Sequence, residues 1–167
     1  MSYQILPYDE HSPLLYHAAR VYATVWSRSE DDGVLFFRRY ARQSGFCGFV
    51  ARVDLRVVGM VFGTASVAGQ WWHDKVAEQI GDKHPALQNA WVLTELAVLE
   101  QFRTRHIGAD LHDRVIQAQN YQNLLLSTQV SNTPAQEFYR RRGWGVLHEG
   151  FAFNRNHEPY MIMHRAL

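Results

Sequence analysis

Two stretches of this chain carry residue types that could do acid–base and anion-binding chemistry together. The first reads Glu95-Leu-Ala-Val-Leu-Glu-Gln-Phe-Arg103-Thr-Arg-His-Ile-Gly108-Ala109 and the second Asn132-Thr-Pro-Ala135-Gln-Glu-Phe138-Tyr139-Arg-Arg-Arg-Gly143-Trp144. An apolar strand that runs through a short basic loop into a helix leaves the first-turn N–H groups without intrahelical acceptors, and a phosphate or pyrophosphate suits them. The amides of about 104–109 are the donors so placed, with Arg103 and Arg105 able to add charge-assisted bonds or to stay solvated. A tyrosine at a fixed offset beyond them, Tyr139, has a phenol that is protonated at neutral pH and can donate to a departing thiolate.

The elements that must position these groups follow from periodicity and punctuation. Residues 2–7 form a short first strand, ended by Pro7. Ser12-Pro13 is an N-cap followed by proline, and Leu14, Leu15, Ala18, Val21, Tyr22, Val25 and Trp26 make one helical stripe over 13–27. Ser29 caps a second helix whose positive end suits Glu30, Asp31 and Asp32; it carries Val34, Leu35, Phe36 and Phe37 inward and stops near Gly45. Strands at 46–53 and 56–66 are joined tightly enough for an antiparallel hairpin, and Gly59 and Gly63 inside the second indicate close packing by another element. Trp72, Val76 and Ile80 predict a helix over about 71–81. Strand 90–99, helix 107–120, strand 123–130 and helix 134–142 follow, then strands at about 144–153 and 159–165. The strand–helix–strand run at 90–130 requires a parallel crossover, while the remainder is antiparallel.

Length and composition set bounds. The 167 residues fit one domain, 1–167, long enough to bury a core without metal or disulfide. A net charge of +1 supplies no general field for nucleic acid or membrane, and no stretch approaches the length of a membrane span. The N-terminus lacks the basic and apolar regions of a signal peptide. The lone Cys47 excludes an internal disulfide and suits a reducing, cytoplasmic setting; it reads as a buried structural thiol. His73, His84, His112 and His157 read as ordinary surface histidines, without metal-ligand spacing, so no metal is expected.

The order β-α-α-β-β-(α)-β-α-β-α-β-β, with these residues in it, resembles the GNAT superfamily of N-acetyltransferases. The resemblance covers nearly the whole chain, and its specific part is 95–144. The superfamily's pyrophosphate loop, Arg/Gln-x-x-Gly-x-Gly/Ala, corresponds to Arg103-Thr104-Arg105-His106-Ile107-Gly108, and its later signature to Asn132, Ala135, Phe138-Tyr139 and Gly143-Trp144. The implied fold is α+β in three layers: a mixed, mostly antiparallel twisted sheet flanked by helices. The implied cosubstrate is acetyl-CoA and the implied partner an amine acceptor, with a homodimer allowed by the fold's edge strands. Leu96, Ala97 and Val98 would take the pantetheine arm through backbone groups. Arg103, Thr104, Arg105, His106, Ile107, Gly108 and Ala109 would hold the pyrophosphate. Asn132 would bond the arm or cap its helix, and an N–H of the fourth strand near Val98 would stabilise the oxyanion.

Tyr139 matches the superfamily's general acid; packing of its helix is the competing role. Glu95 is the candidate base, against a surface or structural role, because Ser127 stands where some members carry a glutamate, five residues before the Asn. His106 replaces the first glycine of the loop, and histidine calls for a conventional backbone conformation there. The run Arg140–Arg142 compensates the helix dipole or reaches a ribose phosphate. Trp26, Phe36, Phe37, Trp71, Trp72 and the 151–158 loop surround the implied acceptor position, and the 67–90 insertion either covers that pocket or covers core. Aromatic lining without a carboxylate cluster argues against a polycationic acceptor. A non-catalytic acyl-CoA-binding module on the same fold is the alternative.

Overall fold

A computed structural model describes all 167 residues. Seven strands lie in the order β1-β2-β3-β4-β5-β7-β6, accompanied by five α-helices. In chain order these are β1 (Gln4–Tyr8), α1 (Leu14–Val25), α2 (Glu30–Ala41), β2 (Cys47–Val53), β3 (Arg56–Ser66), α3 (Trp71–Ile80), β4 (Ala90–Val98), α4 (Ile107–Gln117), β5 (Asn123–Gln129), α5 (Thr133–Arg140), β6 (Gly145–Phe151) and β7 (Tyr160–Ala166). This is the order expected from the sequence. β1/β2, β2/β3, β5/β7 and β6/β7 pair antiparallel, and β4/β5 is parallel over Ala90–Val92 with Asn123–Leu125.

The chain divides into two compact units. The first comprises Met1–Thr64 and Leu93–Gln119. Its helices start where expected: Ser12 Oγ accepts from Leu14 N–H at 3.2 Å, and Ser29 Oγ from Asp32 N–H at 3.1 Å. Phe37 and Phe62 meet edge to face at 4.9 Å inside a cluster that includes Tyr22, Phe36, Tyr40 and Phe46. Gly59 explains how tightly α4 seats on the sheet. A Cβ there would lie 3.0 Å from Leu111 Cδ1 and 3.3 Å from both Ile107 Cγ2 and the Ala97 carbonyl.

The extent of β1 and the inward face of α2 are corrected. β1 continues through Pro7 to Tyr8, because β1 is an edge strand and an edge tolerates a residue without an N–H. Leu35 does not point inward: α2 buries Gly33, Phe37 and Ala41, four residues apart, and Leu35 lies on the other side, 65% exposed.

The second unit comprises Ala65–Val92 and Asn120–Leu167. Val76, Ala86, Leu87, Ala90, Val92, Leu125, Phe153 and Ile162 form its core, with Trp72, Ala77 and Ile80 of α3 packed against them. The insertion helix therefore covers core. His73 is buried, with Nδ1 2.8 Å from Ser66 Oγ. His112, in the first unit, is fully buried and 2.8 Å from Asp113 Oδ1. The surface placement expected for both histidines is corrected; a hydrogen-bonded partner offsets the cost of burying each ring.

Candidate functional site

β4 carries the first group of candidate residues. Strand alternation puts Leu93, Glu95 and Ala97 on one face and Thr94, Leu96 and Val98 on the other. Leu99 N–H donates to the Val58 carbonyl at 2.8 Å, and a single 3-10 turn, Glu100–Phe102, then redirects the chain. Thr104 (φ 61°) and His106 (φ 64°, ψ −1°) both adopt the left-handed conformation before α4 begins at Ile107. The conventional backbone expected for His106 is thus corrected: histidine holds the conformation that glycine more often supplies. Histidine visits this region more readily than most residues, whereas a β-branched residue such as Thr104 is a true outlier in it.

The consequence is a cradle of donors. His106 makes no side-chain cap bond to α4, and no other part of the chain accepts from the amides of Thr104 to Ala109. Left-handed residues interleaved with conventional ones turn N–H groups toward one concavity, which favours an anion, and the α4 dipole adds to it. Arg103, Thr104, Arg105 and His106 are exposed, whereas Ile107 is buried and anchors the helix start. Arg103 Nε donates to the Val98 carbonyl at 3.1 Å, which pins the loop to β4. Arg105 lies 5.9 Å from the Phe102 ring centroid, and neither guanidinium is paired with a carboxylate.

Glu95 sits among aromatic residues from three other elements. The Trp26 side chain, just past α1, hydrogen-bonds it; burial raises the phenols of Tyr8 of β1 and Tyr40 of α2, and both lie close enough for the Glu95 charge to add to the shift. Desolvation pushes the Glu95 carboxyl up to about 8, and the Trp26 bond opposes the shift. The residue is nevertheless partly exposed, so the group is not sealed in core. Tyr8 Oη is buried without a hydrogen-bond partner. The Cys47 thiol is raised by burial, which makes it a poor nucleophile, although its side chain is only partly covered.

The second unit carries Asn132 and Tyr139. Asn132 Oδ1 accepts from Ala135 N–H at 3.2 Å, so its cap role is present. Tyr139, two turns further along α5, is 9% exposed and meets Phe138 and Trp144 edge to face at 5.2 and 5.9 Å. Gly143 (φ 83°) allows the chain to turn back there. Ser127 Oγ accepts from the Trp72 indole at 3.1 Å, which ties α3 to β5. Of the arginine run, Arg141 pairs with Glu137, Arg142 stacks 3.8 Å from the Phe138 ring centroid, and Arg140 is exposed at the helix end.

Several positions were not legible as site-forming residues. Gln136 is buried and donates from Nε2 to the carbonyls of Gln129 (3.1 Å) and Val130 (2.8 Å), holding α5 to the end of β5. Its only sequence signal is that it lies one helical turn after the capping Asn132. Tyr8 and Tyr40 carry no sequence sign of their approach to Glu95. Phe37, expected near the acceptor, is 1% exposed and belongs to core; Trp71, by contrast, is 54% exposed and packs 5.4 Å from Phe153. No three His, Cys, Asp or Glu side chains are grouped to hold a metal ion, and no helix is long and apolar enough to cross a membrane.

Comparison with known proteins bears on this arrangement. A GCN5-like protein acetyltransferase of Mycobacterium tuberculosis is 28% identical over 121 residues, 66% of this chain and 59% of that protein. The chain thus spans little more than half the length of that relative. Among solved structures, an aminoglycoside 6'-acetyltransferase type Ii superposes with a TM-score of 0.71 at 16% identity, covering 98% of this chain and 96% of that one. A GNAT acetyltransferase of Staphylococcus aureus Mu50 gives 0.69 at 18% identity, with 99% of each chain covered. At these identities the likeness is one of fold. The model of the acetyltransferase (GNAT) family matches residues 12–144, which include β4, the loop amides, Asn132 and Tyr139, and the chain belongs to that family.

Proposed function

We propose that this chain is an acetyl-CoA-dependent N-acetyltransferase that moves the acetyl group directly onto a primary amine of a small molecule or peptide. The observation that carries the proposal is the pairing, along one short run of chain, of a carboxyl raised to about 8 with a cradle of uncommitted amides. The raised carboxyl is a base tuned near working pH, and the cradle is a pyrophosphate site. The relative from Mycobacterium tuberculosis supports acetyl transfer as the reaction class. The single cysteine and the lack of an apolar spanning helix are consistent with the cytoplasm as its setting.

In this scheme acetyl-CoA supplies an activated acyl carbon. The amides of 104–109, with Arg103 and Arg105, bind the diphosphate, and the backbone of Leu96, Ala97 and Val98 aligns the pantetheine arm. An amine with a pKa near about 10.4 arrives protonated, so a base must remove a proton before nitrogen can attack. Glu95 takes that proton, directly or through water. The N–C bond forms as the C–S bond breaks; the nitrogen gives its second proton to Glu95, once that carboxylate has passed the first to solvent, and the sulfur receives a proton from Tyr139, which solvent replaces. A thiol with a pKa of about 8.5 leaves more readily as thiol than as thiolate at neutral pH. Asn132 keeps α5 in place through its cap and has its amide N–H₂ left for the arm.

The test is a thermal-shift and thiol-release screen with acetyl-CoA against diverse amines, run on the wild type and Tyr139→Phe. Wild type should be stabilised by acetyl-CoA and release thiol only when an amine is present. Tyr139→Phe should lower kcat by roughly 10²–10⁴-fold, the usual worth of a positioned acid, with little change in melting temperature. Unchanged turnover in that variant would reject Tyr139 as the acid. Stabilisation by acetyl-CoA without transfer to any amine would favour a binding module, a reading for which Ser127, committed to Trp72 where some members carry a glutamate, gives some ground.

A further inference from the structure

A hollow of about 430 Å³ opens beside α1 and α2 and is lined by Tyr22, Arg28, Asp32, Leu35, Phe36 and Arg39. Its charge is unusual for this face. Arg20 is paired with Glu30, Arg42 with Glu10, and Arg38 with the Tyr16 hydroxyl. Arg28 and Arg39 have no carboxylate partner. Asp32 lies in the first turn of α2, where the positive helix end takes up part of its charge. The field in the hollow is therefore cationic. Arg39 is also held in place: its guanidinium lies 5.9 Å from the Phe36 centroid and 5.7 Å from that of Tyr40. Stacking fixes a guanidinium without neutralising it, which leaves its hydrogen-bonding fork for a ligand.

The opposite character is present in the same hollow. Tyr22 and Phe36 stack at 4.9 Å with an interplanar angle of 10°, and Leu35 adds an apolar side chain that the core does not use. Two residues connect the hollow to Glu95. Tyr40 packs on Phe36 at 4.7 Å, and its phenol responds to both Arg39 and Glu95; Trp26, two residues before Arg28, hydrogen-bonds Glu95. A molecule seated here would place a negative group and an apolar body one side-chain layer from the base.

We propose that Arg28 and Arg39 bind a carboxylate of the acceptor, so that the amines acetylated are acid-bearing and partly apolar, as amino acids and short peptides are, and not polyamines. This rests on the transferase reading above and names its substrate class. Two unpaired guanidinium groups repel a polycation and reward a carboxylate with bidentate bonds.

The experiment compares phenylalanine and glycyl-phenylalanine with their C-terminal amides and with spermidine as acceptors. Wild type should prefer the free acids over the amides by roughly 10- to 100-fold in kcat/KM, the worth of charge-assisted hydrogen bonds. The preference should fall to about unity in Arg39→Gln and in Arg28→Gln, and Arg39→Lys should retain part of it. Equal turnover of acid and amide, or spermidine as the best acceptor, would overturn the substrate class while leaving acetyl transfer intact. A second measurement needs no turnover: titration of N-acetylphenylalanine and its amide into wild type and Arg39→Gln. Acid-selective binding lost in the variant supports the subsite even where no amine is acetylated, a combination that would instead reject the transferase reading. Acid and amide binding alike would reject the subsite whatever the turnover.

Discussion

Replacing Glu95 by Gln should make the protein more stable and less active, and the two effects should share one pH dependence. Glutamine keeps the shape and still offers an oxygen to the Trp26 side chain, so the change removes little except charge. The carboxyl has an ordinary value of 4.5 and is held near 8 in the fold. The folded state thus binds this proton more tightly than the unfolded chain does, and the contribution of Glu95 is full below about pH 4.5 and lost as pH rises to about 8. Above that, keeping the carboxylate charged costs at most about 5 kcal/mol, and solvent reaching the partly exposed side chain reduces this to about 2–3 kcal/mol. In a domain of this size each kcal/mol shifts the melting temperature by about 2–4 °C. Glu95→Gln should therefore melt about 4–12 °C higher than wild type at pH 9, with the gap shrinking toward zero near pH 5. Activity should run the other way. With an aromatic amine that stays neutral across the range, wild-type kcat/KM should rise about tenfold between pH 7 and 9, because about a tenth of Glu95 is ionised at pH 7. The variant should be slower by roughly 10²–10⁴-fold and flat with pH. A melting gap that is the same at pH 5 and pH 9, or a variant that retains the wild-type inflection, would refute the assignment of Glu95 as a desolvated base.

Substitutions at two further positions probe the cradle. Gly59→Ala should destabilise the protein by about 1–3 kcal/mol in a urea melt, because the new methyl meets Leu111 and the Ala97 carbonyl and α4 must move to admit it; acetyl-CoA affinity should fall with it, since the displaced helix carries the anion donors. His106→Gly should leave acetyl-CoA affinity within a few-fold and change stability by less than about 1 kcal/mol, as relief of a left-handed side chain is offset by a freer unfolded chain. His106→Val should lose both stability and affinity in the same melt and titration.

What could be read from the sequence follows how local each interaction is. The helix starts were legible because a cap bonds to a residue two or three positions away, as Ser12 and Ser29 do. The run from β4 through the loop to α4 was legible for the same reason: strand, turn and helix terminus succeed one another in the chain. Pro7 misled because its cost depends on whether the strand is an edge, which adjacent residues do not encode. His73 and His112 misled because a histidine's burial is decided by its partner. Leu35 could have been placed correctly from periodicity alone, since Gly33, Phe37 and Ala41 define the buried stripe of α2 and leave it on the far side.

The environment of Glu95 was out of reach because it is assembled across long sequence separations. A glutamate on an apolar strand is as consistent with a surface edge as with a base. The surroundings of the carboxyl bear on that choice, and Trp26, Tyr8 and Tyr40, which supply them, come from different elements far away in sequence. His106 shows the converse. Its residue type argued against the usual loop geometry, yet the backbone adopts that geometry there and at Thr104. An anion-binding turn needs amides that point one way, and a left-handed residue supplies that whether or not it is glycine. Glycine reaches the conformation without strain, histidine at a modest cost and threonine at a greater one. Two such residues in one short loop are hard to explain by chain reversal alone, since one glycine could accomplish it. Their cost is accounted for if the conformation is what holds the pyrophosphate, and a loop relaxed at both positions should bind acetyl-CoA more weakly while the fold around it becomes more stable.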